Sequence, residues 1–339
     1  MSKIKVGIIG ANGYGGGEAS RLLSSHPEVE LVGFSSRQFE GQPFNKCWSN
    51  STLETVFEDL DTVIGKSDFI FLALPNGLAM DLMPKVLASG KKVIDFSGDF
   101  RLPAAEYERW YGKAHTNPDL IAKAAYGLPE LTREQIKGSS LTANPGCFVT
   151  AATIALMPLA QAGLISGSVI VDGVTGISGA GRNSEAFSFA EANENVKAYK
   201  VAGTHQHTPE MEANLERAGQ KSIVTFTPRV APFTRGILVN CYVTPSQATT
   251  QAQLEALYQD AFANEAFVHF SSDLPTTKAV AGSNRCDVSV KYDARARRII
   301  AFGAIDNLVK GMAGEAIQNM NLMLGLPEDM GLPKWGIYP

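Results

Sequence analysis

A cysteine at a turn into an apolar run, two histidines within three residues and a glycine triplet are the parts of this 339-residue chain best suited to chemistry. Cys147 stands in Ala143-Asn144-Pro145-Gly146-Cys147-Phe148. The Pro-Gly turn stops the strand before it, and Phe148 to Ala162 reads as a buried apolar helix that starts at or just after the cysteine, with Pro158 a kink or early stop. A thiol there meets unsatisfied backbone N–H groups and the positive end of the helix dipole. Both favour the thiolate, which is the reactive species. The same N–H groups suit an oxyanion on a carbonyl attached to the sulfur. A free cysteine can equally be a small buried hydrophobe, a description that fits Cys241 and Cys286, while Cys47 beside Trp48 reads as packing.

His205 and His207 lie in Gly203-Thr204-His205-Gln206-His207-Thr208-Pro209-Glu210. Thr208 reads as an N-cap, with Pro209 and Glu210 in the first helical turn. The histidines then precede the helix on a loop or strand end, where alternation points both to one side. Imidazole exchanges protons near neutral pH. A capping role or a metal site are the alternatives, and no third metal ligand is evident in the pattern.

Gly10, Gly13 and Gly16 form Gly-x-x-Gly-x-x-Gly between a first strand and a first helix. Such glycines let the chain turn tightly and bring backbone N–H groups to a pyrophosphate at a helix N-terminus. An ordinary glycine-rich turn is the competing reading, and the strand–turn–helix context favours the nucleotide. The second strand ends Gly33-Phe34-Ser35-Ser36-Arg37, without the carboxylate that would hold a ribose 2′-hydroxyl. Two hydroxyls and a guanidinium suit a 2′-phosphate instead, so NADP (NADPH) is expected rather than NAD.

Two further turns carry polar groups. Ser178-Gly179-Ala180-Gly181-Arg182 suits a phosphate or carboxylate, or is a solvated turn. Asn307, in Asp306-Asn307-Leu308, can bond a carboxamide or satisfy a turn.

The elements that position these groups fall into two styles. Lys5 to Ile9, Val29 to Phe34, Phe69 to Leu74, Val93 to Phe96 and Ser140 to Ala143 read as compact strands, several apolar on both faces, with a helix at Glu18 to Ser25. That is a Rossmann-type parallel sheet covered on both sides. After Cys147, period-two strands at Val169 to Val174, Ile223 to Pro228, Ile237 to Thr244, Val288 to Tyr292 and Ile299 to Ile305 alternate with helices at Pro209 to Ala218 and Gln251 to Ala263. That is an α+β catalytic domain with a mixed or antiparallel sheet. Gly311 to Leu324 is helical again and is expected to return to the first domain. The fold class is thus α/β, with domains at 1–146 plus 312–339 and at 147–311.

Composition bounds the function. The apolar share is 45% and the net charge -4 with no long run of one sign, which disfavours nucleic acid. No apolar run approaches a membrane span. Four scattered cysteines without Cys-x-x-Cys spacing read as free thiols of a reducing cytoplasm, with no metal site.

Over nearly its whole length the chain resembles N-acetyl-gamma-glutamyl-phosphate reductase. The resemblance rests on Gly10-Ala11-Asn12-Gly13-Tyr14-Gly15-Gly16, on Asp95-Phe96-Ser97-Gly98-Asp99-Phe100-Arg101 and on Ala125-Tyr126-Gly127-Leu128-Pro129-Glu130. It extends to Asn144-Pro145-Gly146-Cys147, Ser178 to Arg182, the His205/His207 block, Phe233-Thr234-Arg235-Gly236 and Asp306 to Gly311. The resemblance implies a nucleophilic Cys147 and an acid/base His205, forming and reducing a thioester from a small-molecule acyl phosphate. It implies substrate contacts from Ser178, Arg182, His207, Glu210, Arg101 and Arg235. Cofactor contacts are expected from Gly10, Asn12, Gly13, Tyr14, Gly15, Gly16, Ser35, Ser36, Arg37, Leu74, Pro75, Ser97 and Asn307. It also implies a two-domain fold like that of aspartate-semialdehyde dehydrogenase and a homodimer or homotetramer. Gln206 stands where the family often has arginine, and Phe148-Val149-Thr150 where it often has Tyr-Pro-Thr. A related reductase of aspartyl phosphate or of carrier-bound aminoadipyl phosphate stays open, as does a non-catalytic NADP-binding redox sensor. The choice of base between His205 and His207 is open too.

Overall fold

A computed structural model describes residues 2–182 and 189–338. The chain divides into two compact units, Met1–Pro145 with Met312–Leu332, and Gly146–Gly311 with Pro333–Pro339.

In the first unit seven strands form one sheet: β1 (Ile4–Ile9), β2 (Val29–Ser35), β3 (Phe57–Glu58), β4 (Phe69–Leu72), β5 (Lys92–Asp95), β6 (Ala125–Tyr126) and β7 (Leu141–Ala143). The order is β3-β2-β1-β4-β5-β7-β6, with every pair parallel. Chain order reverses beside β1, between β2 and β4, so the crevice at their carboxyl ends is where such a sheet binds ligands. All four residues of β4 are buried, as a strand covered on both faces requires. The first helix, Tyr14–Leu23, begins before the expected Glu18. Glycines at 15, 16 and 17 lower helix propensity, yet close packing demands them there. The two-residue β6 is too short to leave a sequence signal. Helix Gly314–Leu324 returns to this unit and is buried from Gly314 to Met323.

The second unit opens with helix Cys147–Gln161, buried from Phe148 to Ala160. It packs on a second sheet of β8 (Ile165–Gly176), β9 (Lys197–Ala198), β10 (Val224–Ala231), β11 (Ile237–Pro245), β12 (Val268–Phe270), β13 (Cys286–Asp293) and β14 (Arg298–Ile305). The order is β12-β13-β14-β11-β8-β10-β9. β8 with β10 and β12 with β13 are parallel and the other pairs antiparallel, so the sheet is mixed. β11 alternates buried and half-buried residues along its length, one face on the core. Pro158 does not stop the helix early, because it falls in the last turn, which ends at Gln161. Residues 333–338, grouped by sequence with the first domain, pack with the second unit instead. The N–H of Asn284 donates to Pro333 O at 2.8 Å and that of Ile337 to Ala281 O at 2.7 Å.

Candidate active site

The glycine loop of the first unit is shaped by contacts that exclude side chains. Gly10 has φ +88°, and a Cβ there would lie 2.3 Å from Ala73 O. A Cβ on Gly16 would lie 2.6 Å from Gly10 O, so only glycine lets the helix approach its own entry loop. Gly15 is confined similarly, because a Cβ there would lie 2.5 Å from Met312 Sδ. Gly13 is the N-cap and brings no side chain to the helix's first N–H groups. Those groups and the dipole behind them fit an anion.

Beside the loop lies a cavity of about 450 Å³ lined by Gly10, Asn12, Ser35, Ser36, Arg37 and Leu74, with Leu60, Leu78, Asp81 and Leu82 among its other walls. Apolar walls with a hydroxyl and guanidinium rim fit an adenosine moiety bearing a phosphate. Of the residues expected at the cofactor, Tyr14 opens the first helix and packs near the Trp48 ring at 6.4 Å. Pro75 follows Leu74 and is exposed.

Ser97, expected at the cofactor, is buried in a turn. Its hydroxyl donates to Asp95 Oδ2 at 2.6 Å and accepts the Asp99 N–H at 3.1 Å, so it shapes a turn. Burial raises Asp95 to about 7 against the opposing Ser97 hydrogen bond, and Asp99 adds to the rise. Asp99 in turn accepts the N–H groups of Gly77 at 2.7 Å and Met80 at 3.0 Å and the Tyr107 hydroxyl at 2.9 Å. Arg101 is buried, with one guanidinium nitrogen on Phe96 O at 2.8 Å.

In the second unit Cys147 is the first residue of its helix and is partly exposed, whereas Cys47, Cys241 and Cys286 are buried. Burial pushes the Cys241 thiol well up, as befits a core cysteine. Gly146 is the N-cap and, like Gly13, adds no side chain. A Cβ on Gly146 would strike His207 Nε2 at 2.3 Å, so the His207 ring lies close against the residue preceding Cys147. Gly311 closes the other side, where a Cβ would lie 2.8 Å from Cys147 Cβ. It sits in a π-helical turn, Val309–Ala313, a deviation often found at functional sites.

The histidine block departs from the expected local structure. The helix runs His207–Arg217 with Gln206 as N-cap, so His207 is helical and Thr208 is not the cap. The two rings nevertheless converge, 4.6 Å apart between centroids, because the chain turns rather than extends. The His207 N–H donates to His205 Nδ1 at 3.0 Å, which fixes the neutral His205 proton on Nε2. His205 packs among Phe226, Tyr199 and Phe148 at 5.1, 5.6 and 6.4 Å. Burial pushes His205 down to about 2; His207 and Lys200 add to this and Glu210 opposes it.

Glu210, expected to hold substrate, is fully buried, and its Oε1 accepts the Gly146 N–H at 3.0 Å. The carboxylate, with no exposed surface, secures the turn before Cys147. Tyr199, which the sequence pattern does not single out, is also part of this cluster. Burial raises its pKa and the nearby Cys147 sulfur adds to the rise.

The remaining polar residues gather at the ends of β8, β11 and β14. Asn307 Nδ2 donates to Ser178 Oγ at 2.9 Å, and Asn307 Oδ1 accepts the Gly236 N–H at 2.7 Å. Asn307, which the sequence reading places at the cofactor, ties two loops of its own unit together. Arg235 reaches Asp306 Oδ2 at 3.5 Å, and Arg182 is exposed beside residues outside those described. The segment from Asp306 to Gly311 links this group to the Cys147 cluster. Among the described residues no cluster of His, Cys, Asp and Glu is arranged to hold a metal ion, and no helix is long and apolar enough to cross a membrane.

Two family models match the chain in succession. Residues 5–139 match the semialdehyde dehydrogenase NAD binding domain, and residues 147–307 the semialdehyde dehydrogenase dimerisation domain. Aspartate semialdehyde dehydrogenase II of Vibrio cholerae, complexed with ASA, shares the fold with a TM-score of 0.75 at 17% identity, over 96% of this chain and 99% of that one. The N-acetyl-gamma-glutamyl-phosphate reductase of Thermus thermophilus is 53% identical over 98% of this chain and 100% of its own length. That of Symbiobacterium thermophilum is 47% identical over 99% of each. The chain belongs to the N-acetyl-gamma-glutamyl-phosphate reductase family, within the semialdehyde dehydrogenases.

Proposed function

We propose that this protein reduces N-acetyl-gamma-glutamyl phosphate to N-acetylglutamate semialdehyde with NADPH, through an acyl thioester on Cys147. The observation that supports the covalent route most is a partly exposed thiol at the uncapped start of a buried helix, against Gly311 and one residue from the His207 ring.

The Cys147 thiolate attacks the acyl-phosphate carbon. A C–S bond forms, the bond to the phosphate oxygen breaks, and inorganic phosphate leaves. Helix N–H groups stabilise the thiolate and the oxyanion formed on attack. NADPH, when bound, supplies a hydride to the thioester carbon. His205 takes the acid/base position as a neutral imidazole whose Nε2–H donates a hydrogen bond to the developing oxyanion. With its pKa near 2 it works as a donor rather than as a stored proton. The oxyanion then collapses, the C–S bond breaks, and the aldehyde leaves with the thiolate restored. Ser178, Arg182, Arg235 and Arg101 are the groups for the phosphate and the substrate carboxylate, and His207 contacts substrate beside Cys147. Gly10 to Gly16 hold the pyrophosphate, and Ser35, Ser36 and Arg37 the 2′-phosphate. The working form is a homodimer or homotetramer in the cytoplasm.

The test runs the reaction backward. With phosphate and NADP, N-acetylglutamate semialdehyde should yield NADPH, and aspartate semialdehyde should not. Equal rates with both aldehydes would shift the substrate to a related acyl phosphate, and no turnover with either would leave a sensor role.

A further inference from the structure

We propose that Trp48 is a positioning residue for the cofactor: its indole N–H sets the orientation of the glycine loop that receives the pyrophosphate. This rests on reading that loop as the dinucleotide site.

Trp48 follows the short helix Phe44–Cys47, far along the chain from the glycine loop. Its Nε1–H donates to the carbonyl oxygen of Ala11 at 2.8 Å. Ala11 is the second residue of Gly10-Ala11-Asn12-Gly13. A trans peptide holds its C=O and the following N–H in one rigid plane, pointing in opposite directions. Holding the Ala11 oxygen toward the indole therefore points the Asn12 N–H the opposite way. Asn12 and Gly10 line the 450 Å³ cavity on which the cofactor reading rests. A tight loop rich in glycine has many accessible backbone states, and an external hydrogen bond selects one of them before the ligand arrives.

A second observation shows that the indole's seat is built for it. Gly17, in the first helix, has the six-membered ring of Trp48 where a side chain would stand. A Cβ there would lie 2.2, 2.5 and 2.6 Å from Cζ2, Cε2 and Cη2. The ring of Tyr14, one turn earlier, lies 6.4 Å from the Trp48 ring. The glycine run of the helix thus has two jobs. Gly16 lets the helix approach its own entry loop, and Gly17 lets a tryptophan reach over the helix to hold that loop.

Trp48→Phe keeps an aromatic ring and removes the N–H. In the full chain the NADPH dissociation constant, read from the fluorescence of the bound cofactor, should rise roughly tenfold, the scale of one lost hydrogen bond. The KM for NADPH should rise in parallel, while kcat at saturating NADPH and the KM for the acyl substrate move less than about twofold. Gly17→Ala, which displaces the indole, should give the same rise. The double variant should bind no more weakly than the worse single one, because both act through one contact. The unfolding midpoint without NADPH reports the fold, and the increase caused by NADPH reports binding. A fall in the second with the first preserved supports positioning. A Trp48→Phe protein that binds NADPH like the unaltered chain overturns the proposal, as do losses that multiply in the double variant. If the unaltered protein binds no NADPH, the cofactor reading fails along with it.

Discussion

The glycine loop of the first unit and the Cys147 turn of the second solve a similar physical problem in opposite ways. Both present an uncapped helix N-terminus, with Gly13 and Gly146 as the N-caps. Around the first, backbone contacts and missing side chains make the site, and the space left over is a cavity. Around the second, side chains crowd in: Glu210 on the Gly146 N–H, His207 against Gly146, and His205 and Tyr199 behind them. A site that must receive a large preformed ligand is best left empty and rigid. A site that must tune one atom needs dipoles and rings packed about it.

The sharpest test of that contrast is on the sulfur. Cys147→Ala should lower reductase activity by about four orders of magnitude or more while NADPH still binds, since the two sites are built from separate residues. Mass analysis of the enzyme quenched with substrate should find the acyl adduct only on the peptide carrying Cys147. Retained activity would end the thioester scheme.

His205→Gln should follow, with a loss of kcat of roughly 10²–10⁴ and little change in the KM for NADPH. Its stability signature has a definite sign. The folded protein holds His205 neutral down to about pH 2, whereas the unfolded chain takes up the proton near the ordinary histidine value of 6.5. The unfolded state therefore binds more protons below about 6.5, and the native state loses stability as pH falls from there toward 2. Relative to its own value at about pH 8, the variant should lose less stability at about pH 5 than the unaltered protein, as measured by urea unfolding. An equal loss would show that His205 is solvated.

In the first unit, Gly16→Ala should cost about 1–3 kcal/mol of stability through overpacking against Gly10 and weaken NADPH binding, with the chemistry on bound cofactor intact. Calorimetry and NADPH titration check the pair. The smallest effect belongs to the cavity rim. Arg37→Met should narrow the preference for NADPH over NADH roughly tenfold, the scale of a hydrogen bond to a charged group. Steady-state KM values for both cofactors decide it.

Much of this is legible in the sequence because several signals are local. The fully apolar Phe69–Leu72 and the period-two Ile237–Pro245 announce a covered parallel strand and a half-exposed mixed-sheet strand. Gly10 and Gly16 announce a close approach of backbone, and the Pro-Gly turn announces the helix start at Cys147. What the sequence hides is set by tertiary partners. Glu210 has the look of a surface charge near a helix start, and only the folded chain brings it to Gly146. Ser97 and Asn307 show no partners in the sequence, and the folded chain supplies them as Asp95, Ser178 and Gly236. The start of the histidine helix misleads because Thr208-Pro209-Glu210 matches a capping pattern, while the chain begins its turn two residues earlier. Tyr199 and Trp48 carry no motif, since each acts through a residue distant in sequence.

The return of Met312–Leu332 to the first unit has a consequence for how the chain is made. Asn319 Nδ2 donates to Gly127 O at 2.7 Å and to Asn144 Oδ1 at 3.1 Å, and Lys92 Nζ donates to Met323 O at 2.5 Å. Neither Asn319 nor Met323 has left the ribosome when Lys92, Gly127 and Asn144 have. The first unit must therefore wait without its last helix while the whole second unit up to Gly311 is synthesised and begins to fold. The nascent first unit carries an uncovered apolar seat through that interval, and helix Gly314–Leu324 closes it on emerging. The final packing of the first unit thus comes late in synthesis, after the helix that begins at Cys147 has emerged.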